Sequence, residues 1–491
     1  MLLDTRILER RSGRARRLAA TAIAALLATG CSFIPVYERP AAPVSGTFPG
    51  NSAANAGQTA AAAADIAWQD FFPDARLKQL IGAALANNRD LRVAMLNVEQ
   101  TRAAYQIRRA DQYPTLNAAA NASRGPSATN GNLTNSFSVG LAVTAWEIDF
   151  FGRIASLKDA ALAQYLASDE GRKAAQLSLV SSVANTWLSI LADEELLAIT
   201  RQALGTRDES LKLTKLRFDN GVSSELDFQQ ATSLAESARA TLAQAQRQRA
   251  LDENALVLLL GLPIPEGVLA GGAARLSDAV SLPDVPAGLP SDLLIKRPDI
   301  RQAEQSLIAA NANIGAARAA FFPRIALTAQ AGTASKQLSG LFQSGSWGFS
   351  IAPGLLLPIF DAGRNEAALE SANASRSIAI AQYEKAIQTA FREVADGLAG
   401  REALAEQLRA QRAQAAAEAQ RYKLSDLRYR NGIANYLDIL DAQRAQFTAQ
   451  QAVVQVRLAQ LQNQVLLYKA LGGGWTEPQV AAAPQPARQT P

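Results

Sequence analysis

The acidic residues with the most suggestive spacing lie in two related phrases, RFDNGVSSELDF from Arg217 and RYRNGIANYLDI from Arg428. At the 211-residue offset that aligns the phrases, Asp227 matches Asp438, while Asp441 matches Gln230. Little else is equipped for covalent or acid–base chemistry. The chain has no histidine and a single cysteine, Cys31. That composition excludes histidine-dependent proton transfer, Ser–His and Cys–His nucleophiles, and most zinc or iron sites. No glycine-rich phosphate loop and no GxSxG elbow occurs in the sequence. No enzyme, no cofactor and no metal site is expected. The carboxylates must be read for structure and electrostatics.

Locally, the phrases read as turns. Asn220-Gly221 and Asn431-Gly432 suit helix C-termini, where glycine accepts the left-handed conformation. Ser224 and Asn435 suit the N-caps of returning helices, and Asp227 and Asp438 stand where a capping-box acid stands. Asp441 has no such local role. It lies a turn deeper and shares a helix face with Leu437, four residues earlier. A solvated acidic face is the competing account of these carboxylates.

The elements that carry these turns follow from the rest of the chain. Of the 491 residues, 48% are hydrophobic and 6% aromatic, with abundant Ala, Leu and Gln, which favours long helices. The net charge of +5 is concentrated at the N-terminus, where residues 1–30 hold six arginines against Asp4 and Glu9. No basic face for nucleic acid is implied. Those arginines precede an apolar run, LAATAIAALLATG, which ends at Cys31 and reads as a secretory signal. The run is too short for a typical spanning helix. LLATGC resembles a lipobox, so Cys31 is the expected lipidation site and Ser32 favours export to the outer membrane.

The 211-residue offset extends from Gly152-Arg153/Gly363-Arg364 to Leu260-Gly261/Leu471-Gly472. Upstream the offset is 209, relating Asp90 to Asp299 and Tyr113-Pro114 to Phe322-Pro323. A whole module has been duplicated, with a length change in one loop. Each copy opens with a helix that ends near Pro114 or Pro323. Two alternating segments of about ten residues follow, around Leu116–Ser123 and Phe137–Thr144, then Ile325–Ala331 and Trp347–Ala352. One face is apolar and the other small or polar, as in a membrane strand; a half-buried soluble hairpin has the same pattern. From Gly152 to Gly221 the sequence predicts roughly 70 residues of helix, on the order of 100 Å long, then about 40 residues of return. Such helices must pack as coiled-coil neighbours. Trp146, Phe150, Phe151, Phe321, Phe322 and Phe360 gather where strands give way to helices. They suit either the membrane–water interface or packing at the junction. Gly152 and Gly363 suit the sharp turn there.

Four strands cannot close a barrel, and open edges in lipid cost several kcal/mol per unpaired group, so the chain must oligomerise. The sequence resembles the TolC-like outer membrane efflux proteins (outer membrane factors), in the lipoprotein branch typified by OprM. The resemblance covers essentially the whole mature chain. It rests on CSFIPVYERP, VPAGLPSDLLIKRPDIRQAE, ARAAFFPRIALTAQAG, QYEKAIQTAFREVADGLA, YLDILDAQR and LYKALGGGW.

This resemblance implies an α+β membrane protein built from a tandem structural repeat. It implies a homotrimer whose twelve-stranded outer-membrane β-barrel, four strands per chain, continues into a long periplasmic α-helical barrel of coiled-coil hairpins. The implied organisation is a signal peptide (1–30), a lipidated collar segment (31–75), a first repeat (76–261), a linker and collar (262–295), a second repeat (296–472) and a tail (473–491). The function implied is a passive exit duct for drugs or other small molecules. Its partners would be outer-membrane lipid, a periplasmic adaptor and a proton-driven inner-membrane pump of the RND type, with no nucleic acid. Leu437 and Asp441 match the constriction of the lipoprotein branch, and Asp438 belongs to the acidic rings. Asp227 and Tyr429 match residues of the closing network, whose arginine is replaced by Ala434. Three-fold symmetry would turn one inward aspartate into a ring of three that attracts cations. An elongated periplasmic adaptor lipoprotein without a barrel is the alternative.

Overall fold

In a computed structural model, residues 32–48, 66–126, 131–269, 276, 282–283 and 296–474 are described. Cys31 and the signal segment lie outside these residues, as does most of 262–295. The described residues fall into two compact units. The first takes the chain up to Ala41, Asn97–Asp169 and Gln302–Glu384; the second takes Ala42–Leu96, Glu170–Arg301 and the chain from Lys385.

After a single helical turn at Trp68–Phe71 come helices α1 (Ala75–Asn87) and α2 (Arg89–Ala110), followed by β1 (Leu116–Pro126) and β2 (Leu133–Ile148). Helix α3 (Arg153–Asp219) turns into α4 (Glu225–Leu260). The order then repeats as α5 (Pro298–Ala319), β3 (Arg324–Ser335), β4 (Trp347–Leu356), α6 (Arg364–Arg430) and α7 (Tyr436–Ala470). Helices α2 and α5 are each 22 residues long, α3 and α6 each 67, and α4 and α7 are 36 and 35. Related positions also make related contacts. Asn88 donates to the Leu259 carbonyl at 2.9 Å, and Arg297, its counterpart, donates to the Ala470 carbonyl at 2.8 Å. Both bonds satisfy a carbonyl at the open end of a returning helix.

The first unit holds one antiparallel sheet in the order β1-β2-β3-β4. Its register places the expected apolar positions on a single face. Leu116, Val143, Ala329 and Ile351 form one row, and Ala118, Leu141, Ala331 and Phe349 the next. Strand β2 is 16 residues long, beyond the ten expected, because it pairs with β1 over Leu133–Val143 and with β3 over Phe137–Ile148, and it contains a bulge. Val143 pairs with Ala329, but the next partner of β3, Leu327, faces Trp146. The extra residue is absorbed at Ala145, whose φ is 48°. Without it Trp146 and Ile148 would point to the opposite face; with it they continue the apolar one. On the other face Ala119, Gly140, Gly332 and Gly348 share a row. A Cβ added to Gly140 would lie 2.7 Å from Gly332 Cα, so the strands approach too closely for any side chain there.

The segment after Cys31 packs along α5 in the same unit. Arg39 grips Glu304 at 2.7 and 2.9 Å, Asn311 donates to the Pro35 carbonyl at 2.7 Å, and Phe33 stacks on Phe322 at 4.6 Å. Gly315 leaves room for it: a Cβ would meet Ile34 N at 2.9 Å.

The core of the second unit gathers Trp187, Ile190, Leu197, Leu256, Leu260 and Tyr468 with Phe71, Phe72, Leu80 and Ile81, all nearly inaccessible. Tyr468 stacks on Phe71 at 3.8 Å, and Trp187 donates to Asp74 at 3.1 Å. One stretch of α3 is apolar enough by composition to cross a membrane, but 56% of it is buried within the protein. Its apolar character is used in helix packing.

Candidate functional site

The two hairpin tips, α3–α4 and α6–α7, share a backbone design. Gly221 and Gly432 have φ of 72° and 73°. Val222 N donates to the Arg217 carbonyl and Gly221 N to Phe218, at 2.8 and 2.9 Å; Ile433 and Gly432 repeat this with Arg428 and Tyr429, both at 2.9 Å. These are Schellman closures, which satisfy helix carbonyls and need glycine at the left-handed position. The amides of Asn220 and Asn431 add bonds to Leu216 and Leu427, both at 2.7 Å.

The side chains differ. In the first tip, Ser224 accepts from Asp227 N at 3.1 Å, and Asp227 accepts from Ser224 N at 3.3 Å, which completes the capping box. Ser223 and Ser224 hydroxyls also donate to Asp227, at 3.2 and 2.8 Å. Asp227 is therefore absorbed locally. In the second tip, Asn435 accepts from Asp438 N at 2.9 Å, but the reciprocal bond is not formed. Asp438 is exposed, and so are Leu437, at 54%, and Asp441.

Asp441 does not stand alone. Its carboxylate pairs with Arg421 of α6, which also holds Glu418 at 3.2 Å. Sequence reasoning missed this chain of charges. Its signal was there: Glu418 and Arg421 are a helical i, i+3 pair, and their first-copy counterparts are Arg207 and Ser210. Tyr429 bonds to Arg217, with that guanidinium 5.4 Å from its ring, so the two tips are tied to each other. Tyr436 packs 5.7 Å from Tyr429, and burial pushes its hydroxyl above the usual phenol range. The structure thus brings Tyr429 to Arg217 and Asp441 to Arg421, and gives the Asp438 carboxylate no hydrogen-bond or ion-pair partner among the described residues, with the Leu437 side chain exposed.

In the first unit the strand–helix junctions use Gly152 and Gly363 with φ of 70° and 82°. Pro114 lies between α2 and β1, and Pro323 immediately precedes β3. Asp149 accepts from Ala155 N at 2.7 Å and Asp361 from Asn365 N at 3.0 Å, so each long helix begins on an aspartate. Of the expected aromatic cluster, Phe151 and Phe322 stack at 5.0 Å, joined by Phe33. Trp146 and Phe150 are half-buried, while Phe321 and Phe360 are exposed, Phe360 at 88%. Trp347, Phe349, Ile351 and Leu355 of β4 are each at least 63% exposed. A row of large apolar side chains left bare is a contact surface for lipid or protein.

A family model described as outer membrane efflux protein matches residues 80–262 and 289–473. The chain belongs to the outer membrane efflux protein family. It is 46% identical over 484 residues to the probable efflux pump outer membrane protein TtgC of Pseudomonas putida, covering 97% of this chain and 99% of that one. It is also 46% identical to outer membrane protein OprJ of Pseudomonas aeruginosa, over 92% of this chain and 95% of that one. Among solved structures, the open state of the Neisseria gonorrhoeae MtrE outer membrane channel aligns at a TM-score of 0.82 and 42% identity, covering 91% and 99%. This outer membrane efflux protein is thus an exit duct of the outer membrane that extends into the periplasm, not an enzyme and not a barrel-less adaptor.

Proposed function

We propose that three copies assemble a twelve-stranded barrel above a periplasmic helical tube, and that the second hairpin tip is its gate. The four-stranded sheet carries this reading. Strands β1 and β4 each have one neighbour, and an open edge cannot stand in lipid. The bare apolar face suits the bilayer, and the small and polar face, with Asn117, Ser138, Gln330 and Ser350, suits a water-filled lumen.

The matched helix lengths and the two family matches support a tandem duplication with the boundaries given above. Three exposed Leu437 side chains would form an apolar constriction, and three Asp441 an acidic ring held back by Arg421. Acylation at Cys31 would anchor each chain and place the 32–48 segment near the membrane. The curated relatives are named for toluene, solvent and antibiotic efflux pumps. By that likeness this duct conducts small hydrophobic compounds from an inner-membrane pump of the RND type through a periplasmic adaptor.

The test is the mass of the detergent-extracted protein with the drug susceptibility of a deletion strain. Three chains per particle and hypersusceptibility, reversed by complementation, are expected. A monodisperse monomer, or an unchanged profile for every compound, contradicts the reading.

A further inference from the structure

Three of the four helices of the two hairpins, α3, α6 and α7, meet around a cavity of about 80 Å³. It is lined by Gln202 and Arg207 of α3, Tyr422 of α6, and Gln443, Phe447 and Gln450 of α7. Arg207 is 6% exposed. Its guanidinium donates to the Leu234 carbonyl of α4 at 3.3 Å and lies 5.1 Å over the Phe447 ring. No carboxylate pairs with it among the described residues, and Arg444 adds a second positive charge nearby. An interior cation so placed is costly unless a negative group answers it. The cavity is polar and roomy enough for an ion with some water, since one water needs roughly 10–15 Å³. Gln443 is 8% exposed and its amide oxygen has no partner among the described residues. Turned over, that amide would present N–H donors to the same space. The feature belongs to one hairpin pairing only, because the counterparts of Arg207 and Gln443 are Glu418 and Thr232.

We propose that this cavity is a binding site for one small monovalent anion, a halide or a carboxylate, held by Arg207 and Gln443. The guanidinium fork fits a carboxylate's two oxygens or a single halide. Bound there, the anion joins α3 to α6 and α7 through one charge, so its occupancy couples the two hairpins. The proposal stands apart from the gate, whose residues it does not use.

The test uses the full mature channel in detergent. Crystals grown in bromide should show an anomalous peak beside the Arg207 guanidinium in every chain. In solution, chloride NMR line broadening should saturate and be reversed by acetate. Arg207→Gln should weaken chloride affinity about tenfold or more, as expected for loss of a charge-assisted hydrogen bond. Gln443→Leu keeps the cation and should weaken affinity about threefold. This second variant carries the test if Arg207→Gln does not assemble. No bromide peak at Arg207 in well-ordered wild-type crystals, or saturable broadening unchanged in both variants, overturns the proposal.

Discussion

The two hairpin tips share a backbone and differ in charge. Both close on a Schellman turn with asparagine and glycine, and both begin the return helix with a polar cap. In the first tip, Asp227 is spent on its own cap. In the second, Asp438 is half used and Asp441 reaches across to Arg421. What the copies share is what a turn requires. What they do not share is the ion pair between Asp441 and Arg421, and it lies on the second copy.

The sharpest way to break this contrast is through Arg421. If it holds Asp441 in place, Arg421→Ala should change single-channel conductance several-fold and make the current strongly salt-dependent. Ser210→Ala at the matching place should leave both unchanged. Equal effects in planar bilayers would remove the distinction between the tips.

A second asymmetry lies deeper in the first hairpin. Asp193 is 7% exposed, and burial, then a hydrogen bond with Asp252, pushes its carboxyl up to about 7. The second copy has Leu404 and Asn463 at these positions. The native state therefore holds a proton that the unfolded chain releases near pH 4, and stability should fall as pH rises from about 4 to 7. Thermal unfolding should show wild type losing several degrees between pH 5 and pH 8, and Asp193→Asn losing much less. A flat wild-type profile would show that the acid is not buried as described.

The shared parts should respond alike. Gly221→Ala and Gly432→Ala each place a Cβ at positive φ and should each cost about 1 kcal/mol, measured by chemical denaturation. The caps should differ slightly. Ser224→Ala breaks a two-way box and should cost about 1 kcal/mol, and Asn435→Ala, with one bond, nearer 0.5 kcal/mol. Identical cap losses would mean that the boxes are energetically equivalent.

Much of this was legible in the sequence because it obeys short rules. Period-two alternation gave the strand faces, and proline-free runs gave the long helices. Glycine after asparagine gave both turns. The bulge at Ala145 was not legible, since alanine carries no preference for positive φ; only the pairing with β3 reveals it. Arg421, Arg217 and Arg207 were missed for another reason. Arginines are frequent on helix surfaces, and their roles depend on a neighbouring helix that sequence periodicity does not specify. The packing of residues 34–39 on α5 is long-range in the same way, through Arg39 and Glu304.

The central claim is that the second tip, not the first, closes the duct. Its most direct test is planar-bilayer conductance of Asp441→Ala beside Gln230→Ala, the same position in the two copies. The account predicts a several-fold larger conductance for Asp441→Ala, with entry of large antibiotics, and wild-type behaviour for Gln230→Ala. Unaltered conductance in Asp441→Ala, or an equal rise in both, would contradict it.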